Sequence, residues 1–274
     1  MARTQAPRDP FPPHALDFTG TERFEVRRRI GSGASGVVYE GWDRERRSPV
    51  AIKWLSYVDA ETVYRFKNEF RSLAEISHPN LVQLFDLSSD GDLWFFTMEL
   101  VRGAPLPEYF RPGAFPPIPG LSRVTPIDGL RPSRDGRPRL DVDPGELRGI
   151  FRQLARGVHA LHDAGKLHRD LKCQNVLVTP DRRVVLLDFG LVREVAPAPA
   201  VDEPQIAGTP LYMAPEQCAG APTGPAADWY AVGVMLYRAL TDAFPFEGRM
   251  HAVMLAKQRE PAPRPSEHVD GVPE

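Results

Sequence analysis

The sequence contains few of the features that would assign it to a specialised class of protein. Its 274 residues include two cysteines, which are too few for a disulfide framework, so we expect a reducing compartment such as the cytoplasm. No run approaches the roughly 18 apolar residues of a membrane span, and the N-terminus lacks the apolar core of a secretion signal. The 34 basic and 36 acidic residues nearly balance, which argues against a nucleic-acid partner. These absences predict a soluble globular protein of the cytoplasm.

Lysine is also rare, because only five of the 34 basic residues are lysines. By contrast, the 22 glycines and 29 prolines make up about a fifth of the chain, and we expect them mainly in loops and tails. Residues 1–20 are predicted to be a flexible Pro-rich tail. Residues 105–144 contain ten prolines and are predicted to be a long loop or surface insertion.

The pattern before this insertion predicts a small sheet with one helix. A helix is expected after Asp59, which can cap it, because apolar residues follow at helical spacing. Five segments are rich in β-branched and aromatic residues and are separated by glycine-containing or charged turns, which is typical of strands: 24–30, 37–43, 49–55, 78–87 and 92–100.

The pattern after the insertion predicts a mainly helical second part. Asp143 and Pro144 are typical of a helix start, and an apolar stripe continues from there until Gly165. A hairpin is expected over 176–188. The segment 229–240 is apolar on nearly all sides, which predicts a buried helix, and one further helix is expected near 250–258.

A glycine-rich segment and a lysine on the next strand form the first candidate site. Gly31, Gly33 and Gly36 would let backbone amides approach a polyphosphate, although an ordinary hairpin turn has the same pattern. A strand follows them rather than a helix, which disfavours a dinucleotide-binding fold. Lys53 is either a surface lysine or a buried one that needs a partner, and Glu69 on the following helix is a candidate.

Two loops in the second part hold the other candidate residues. Asp170 and Asn175 lie in the segment His-Arg-Asp-Leu-Lys-Cys-Gln-Asn, and Asp188 begins Asp-Phe-Gly directly after the hairpin. Two carboxylates and a carboxamide brought together by short loops suit a site for magnesium and phosphate. The segment 208–216 ends in Ala-Pro-Glu, and Asp228 opens the buried helix.

Taken together and in this order, these motifs resemble the protein-kinase family over roughly residues 22–260. The resemblance implies an α+β fold of two lobes. The N-lobe, residues 21–98, would contain a five-stranded antiparallel sheet and one helix. The C-lobe, residues 99–274 including the hinge, would be mainly helical and would lack the last helices of the family. The Arg-, Ala- and Pro-rich composition indicates a bacterial source.

The resemblance also implies a role for each candidate residue. Asp170 would accept the proton of the substrate hydroxyl, Lys172 would stabilise the γ-phosphoryl group, and Lys53 would hold the α- and β-phosphates of ATP while pairing with Glu69. The metal, Mg²⁺ or alternatively Mn²⁺, would be held by Asn175 and Asp188. The ATP pocket would include Met98 as gatekeeper, the hinge backbone of Glu99 and Val101, and the following residues: Ile30, Gly31, Gly33, Gly36, Val38, Ala51, Lys53 and Leu177.

The implied activity is transfer of the ATP γ-phosphate to Ser or Thr hydroxyls of protein substrates in signalling. Lys172, two residues after Asp170, is typical of the Ser/Thr type. One alternative is a nucleotide-binding pseudokinase or scaffold, although the residues that pseudokinases usually lose are present. A small-molecule phosphotransferase is disfavoured, because such enzymes usually lack the Ala-Pro-Glu segment.

Two departures from the family pattern lead to further expectations. Between Gly190 and Gly208 there is no Ser, Thr or Tyr that could be an activating phosphosite, so either Asp202 or Glu203 supplies the negative charge or this acidic pair is only part of a solvated loop. The arginine that usually pairs with the Ala-Pro-Glu glutamate, here Glu216, is absent, and we expect the chain to be a fragment of a longer protein.

Overall fold

The computed structural model describes residues 18–33, 36–54, 60–91, 93–110, 142–188 and 210–272. Several expectations concern residues outside these ranges: most of the tail, Asp59, most of the insertion, Phe189, Gly190, Asp202 and Glu203.

The N-lobe contains the predicted five-stranded antiparallel sheet and a single described helix, α1. The strands follow the order β1-β2-β3-β5-β4 across the sheet, with α1 between β3 and β4 in sequence. The elements are β1 Phe24–Gly33, β2 Gly36–Asp43, β3 Ser48–Trp54, α1 Ala60–Ala74, β4 Leu84–Asp90 and β5 Leu93–Glu99. Successive side chains of β3 point to opposite faces of the sheet. Val50 and Ile52 therefore lie in one apolar cluster, whereas Ala51, on the opposite face, lies in the main core.

The C-lobe is mainly helical, as predicted, with a small sheet in the order β6-β7-β8. Asp143 caps α3 by accepting a hydrogen bond from the Glu146 amide at 2.8 Å, and Pro144 occupies the first turn. The described elements are β6 Ala104–Pro105, α2 Leu106–Phe110, α3 Pro144–Asp163, β7 Val176–Val178, β8 Val184–Leu186, α4 Pro215–Cys218, α5 Pro225–Thr241 and α6 Met250–Arg259.

The segment 105–144 differs from the expected loop at its beginning, because the chain first forms β6 and α2. Leu106, Tyr109 and Phe110 are buried in the main core, so apolar burial outweighs the proline content here. The prolines are compatible with this structure because Pro105 lies in a two-residue edge strand and Pro107 in the first turn of α2.

Helix α5 crosses the centre of the lobe, as its apolar composition predicts. Asp228, in its first turn, is 2% exposed, and Met235, further along, is fully buried. Among the residues that the structure describes, no helix combines the length and the apolar character that crossing a bilayer requires.

Candidate active site

Lys53 is a buried lysine paired with a carboxylate from the C-lobe. It lies on β3 with only 4% of its surface exposed, and its Nζ is 2.6 Å from Asp188 Oδ1. Asp188 follows β8 and has a left-handed backbone, with φ at 54°. Glu69 lies within α1, but its side chain is outside the described residues, so its predicted pairing with Lys53 stays a prediction. The partner that the structure gives Lys53 is Asp188.

The loop before β7 brings the other candidate polar residues to the same place. Lys172 Nζ lies 2.8 Å from Asp170 Oδ2, and Asn175 Nδ2 donates to the Asp170 carbonyl at 2.9 Å. The Leu187 amide donates to the Asn175 carbonyl at 2.8 Å, so Asp188 directly follows the residue bonded to Asn175. Asp170, Lys172, Asn175 and Asp188 therefore form one polar cluster.

Asp228 supports this loop from the first turn of α5. Its Oδ2 accepts from the His168 amide at 2.8 Å and lies 2.9 Å from His162 Nε2, while its Oδ1 accepts from the Arg169 amide at 2.9 Å. Arg169 has φ at 61°, a conformation that is costly for a residue with a side chain. The buried carboxylate thus stabilises a strained backbone next to Asp170.

His168 connects the same loop to the strand end that carries Asp188. Its Nε2 lies 2.8 Å from the carbonyl of Leu187. Burial lowers the pKa of His168, so the imidazole is neutral at neutral pH, and the carbonyl acceptor assigns the proton to Nε2. This hydrogen bond therefore fixes the loop that carries Asp170 relative to the end of β8, which leads into Asp188.

The residues predicted to form the adenine pocket belong to the N-lobe strands, the segment after β5 and the hairpin β7–β8. Ala51 is paired with Met98 across β3 and β5, both are buried, and Val38 is paired with Lys53 across β2 and β3. The half-buried residues Ile30, Val38 and Val101 contact the same core cluster. Leu177 pairs with Pro105 on the C-lobe side.

The glycine-rich segment forms the ends of β1 and β2. Gly31 is paired with Val38 and Gly33 with Gly36. Gly36 has φ at 122°, a backbone region that only glycine enters without strain. The predicted glycine loop is therefore a hairpin end beside the strand that carries Lys53.

Glu99, the first hinge residue, forms an ion pair that the sequence analysis missed. Arg183, in the loop between β7 and β8, donates from Nη1 to Glu99 Oε1 at 2.5 Å and from Nη2 to Oε2 at 3.0 Å. Its Nε donates to the Pro79 carbonyl at 2.7 Å. The hydrogen bond to Glu99 raises the pKa of Arg183.

Lys257 on α6 is a second residue that the sequence analysis missed. Its ammonium donates to the carbonyls of Pro210, Leu211 and Met213 at 2.7, 2.8 and 2.8 Å. Burial lowers the pKa of Lys257 to about 8, whereas the three acceptors favour the charged form. This lysine holds the backbone that leads into the Ala-Pro-Glu segment. The glutamate of that segment, Glu216, is half-buried and forms no ion pair with any described residue.

Comparison with known proteins agrees with this geometry. The family described as protein kinase domain matches residues 24–267. The chain belongs to the protein kinase family. The chain is 35% identical over 262 residues to the serine/threonine-protein kinase pkn2 of Myxococcus xanthus. It is 35% identical over 271 residues to the serine/threonine-protein kinase PknL of Mycobacterium tuberculosis, and 30% identical over 257 residues to PknA of the same species.

These alignments cover 92, 97 and 90% of this chain, but only 28, 60 and 54% of the respective relatives. The chain thus spans between about a quarter and three-fifths of the length of these relatives. The family assignment and the two-lobed fold confirm what the motifs implied, and the relatives are bacterial, as the composition indicated.

Proposed function

We propose that this chain is an ATP-dependent serine/threonine protein kinase that phosphorylates protein substrates in signalling. The observation that carries the proposal is the polar cluster of Asp170, Lys172, Asn175 and Asp188, with Lys53 paired to Asp188 from the opposite lobe. The cluster pairs one ammonium group with each carboxylate, Lys172 with Asp170 and Lys53 with Asp188, and Asn175 is bonded to the backbone of Asp170.

The residues present fit a divalent cation and a nucleotide. Asn175 donates from Nδ2 to the Asp170 carbonyl, which leaves its amide oxygen as a ligand, and Asp188 adds a carboxylate. Such oxygen donors suit Mg²⁺, and also Mn²⁺. A buried ammonium at Lys53 and the glycine hairpin end at Gly36 suit the phosphates.

Each residue then has a defined task in the transfer. Mg-ATP, when bound, supplies the phosphoryl group and neutralises the charge that develops on it. Asp170 accepts the proton of the substrate hydroxyl, and Lys172, 2.8 Å from it, stabilises the transferred phosphoryl group. Lys53 would hold the α- and β-phosphates, and Asn175 and Asp188 would hold the metal.

The substrate class and the location follow from weaker observations. Lysine two residues after Asp170 and the names of the relatives favour Ser and Thr as acceptors. The reducing environment expected from two free cysteines, together with the need for ATP, favours the cytoplasm. The balanced charge gives no support to a nucleic-acid partner.

The direct test is transfer of labelled γ-phosphate from Mg-ATP or Mn-ATP to a generic basic protein, followed by phosphoamino-acid analysis. We expect phosphoserine or phosphothreonine from the wild type and none from Asp170→Asn, because the amide cannot accept the proton. Asp163→Asn, at the exposed end of α3, is the matched control and should retain full activity. Thermal stabilisation by ATP without any transfer would contradict the proposal and favour the scaffold alternative.

A further inference from the structure

The ion pair between Arg183 and Glu99 has no task in the transfer described above. It joins the C-lobe hairpin β7–β8 to the end of β5, where the chain passes from one lobe to the other. Arg183 and Glu99 are 84 positions apart in sequence, and both of the carboxylate oxygens are engaged. A planar guanidinium that binds both oxygens of a carboxylate fixes the relative orientation of the two groups as well as the distance between them.

Arg183 itself is held rigidly by its own hairpin. Its amide donates to Thr179 Oγ1 at 3.0 Å, and its carbonyl accepts from the Thr179 amide at 2.9 Å and from the Thr179 hydroxyl at 3.0 Å. The third guanidinium contact, from Nε to the Pro79 carbonyl, engages the loop before β4. The side chain therefore extends from a fixed base and contacts two further segments.

Glu99, in contrast, has few other constraints. Its amide donates to the Gln83 carbonyl at 2.8 Å, and it pairs with Val50 at the last position of β5. After Glu99 the chain leaves the sheet, so among the described residues the contact of Glu99 with Arg183 is one of the two side-chain ion pairs that hold this segment, beside that of Arg102 with Glu40 at 2.8 Å. In the proposed function, the backbone of this segment forms the adenine contacts through Glu99 and Val101.

We propose that Arg183 is a positioning residue for nucleotide binding, which holds the hinge backbone at Glu99 in the conformation that binds the adenine base. The proposal rests on the proposed function, because it requires the hinge to be the adenine site. Side chains of both residues are about a third exposed, at 33 and 27%, so the pair contributes little to global stability. We expect the ion pair to affect the local geometry of the hinge instead.

The experiment is calorimetric titration of the full chain with Mg-ATP, adenosine and inorganic tripolyphosphate. The variants are Arg183→Gln, which removes all three guanidinium contacts, and Glu99→Gln, which removes only the ion pair at the hinge. Arg182→Gln is the matched control, since Arg182 is the neighbouring arginine, is 70% exposed, and lies 3.5 Å from Glu146 rather than at the hinge.

Both Arg183→Gln and Glu99→Gln should raise the dissociation constants of Mg-ATP and adenosine by about threefold to tenfold. Binding of tripolyphosphate should be unchanged, because the hinge contacts the base and not the phosphates. The double variant should bind no worse than Arg183→Gln alone, because Arg183→Gln already removes the interaction that Glu99→Gln removes. Arg182→Gln should bind all three probes like the wild type.

Equal loss of adenosine and tripolyphosphate binding, or no loss relative to Arg182→Gln, would overturn the proposal. If Arg183→Gln does not fold, Glu99→Gln decides, because it retains the Pro79 contact.

The two proposals fail in different ways. A wild type that binds neither ATP nor adenosine refutes both, whereas normal phosphate transfer with unaltered adenosine binding in Glu99→Gln refutes only the role of Arg183.

Discussion

Asp228 offers the sharpest test of how the core supports the candidate active site. The substitution Asp228→Asn retains the size of the side chain but replaces one acceptor oxygen by an amide group that donates. If the amide takes the place of Oδ2, both the His168 amide and His162 lose their acceptor; if it takes the place of Oδ1, only the Arg169 amide does. The second arrangement costs less, so we expect the Asn variant to remove the Asp228 acceptor of the Arg169 amide.

The magnitude follows from burial and charge. The hydrogen bond of the Arg169 amide is partly buried, and losing such an acceptor costs about 1–3 kcal/mol, while the remaining hydrogen bonds weaken because their acceptor is no longer ionised. We therefore expect Asp228→Asn to lose about 3 kcal/mol of unfolding free energy. Because Arg169 holds a left-handed backbone only one residue before Asp170, turnover should fall by more than the Michaelis constant for ATP rises.

The measurement is urea unfolding followed by tryptophan fluorescence and circular dichroism, combined with steady-state kinetics. Trp229 is a useful probe, since its ring lies 5.8 Å from that of His162. Asp163→Asn on the exposed surface should change the unfolding free energy by less than about 0.5 kcal/mol. A loss below about 1 kcal/mol for Asp228→Asn, with turnover intact, would refute the view that this carboxylate supports the catalytic loop.

Three further predictions follow from other parts of the molecule. The pKa of Lys257 is about 8 in the fold and 10.5 ordinarily, so between these values the unfolded chain binds more protons and stability rises with pH, by up to about 3 kcal/mol. Lys257→Met should lack this rise when urea midpoints are compared at pH 7.5 and 10. Gly157→Ala would place Cβ 2.9 Å from a carbonyl of the loop before β4 and should cost about 1–3 kcal/mol, whereas Gly149→Ala on the same helix meets no atom within 4 Å and should be neutral or stabilising in thermal unfolding. Replacing Asp202 and Glu203 together by Ala should reduce turnover several-fold if they supply the negative charge in place of a phosphate. Unchanged turnover would show that they are ordinary surface acids.

Local patterns predicted most of the elements because each rests on interactions between near neighbours in sequence. The helix that starts at Asp143 and Pro144 has both its cap and its buried stripe where the spacing places them. The order of the motifs, through its resemblance to the protein-kinase family, predicted that Asp170, Asn175 and Asp188 belong to one site, and the structure connects all three through short hydrogen bonds of their backbone segments.

The contacts that the sequence could not predict join residues far apart in the chain. Arg183 meets Glu99 only because the hairpin folds against the hinge, and nothing in either segment indicates the other. Lys257 binds three carbonyls, and because every residue has a carbonyl, no residue type marks its partners. The proline-rich composition predicts a loop for the segment after Ala104. The segment is buried instead because its apolar side chains pack on the core, and composition alone does not show that contact.

The use of lysine in this domain has a practical consequence for labelling. Lys53, Lys172 and Lys257 have their ammonium groups bound to carboxylate or carbonyl oxygens, and two of these side chains are buried. Reagents that acylate primary amines do not react with arginine, which supplies the great majority of the basic residues. Dyes, biotin or solid supports coupled through side-chain amines therefore have only five target residues in this chain, and three of the five are already engaged by carboxylate or carbonyl oxygens.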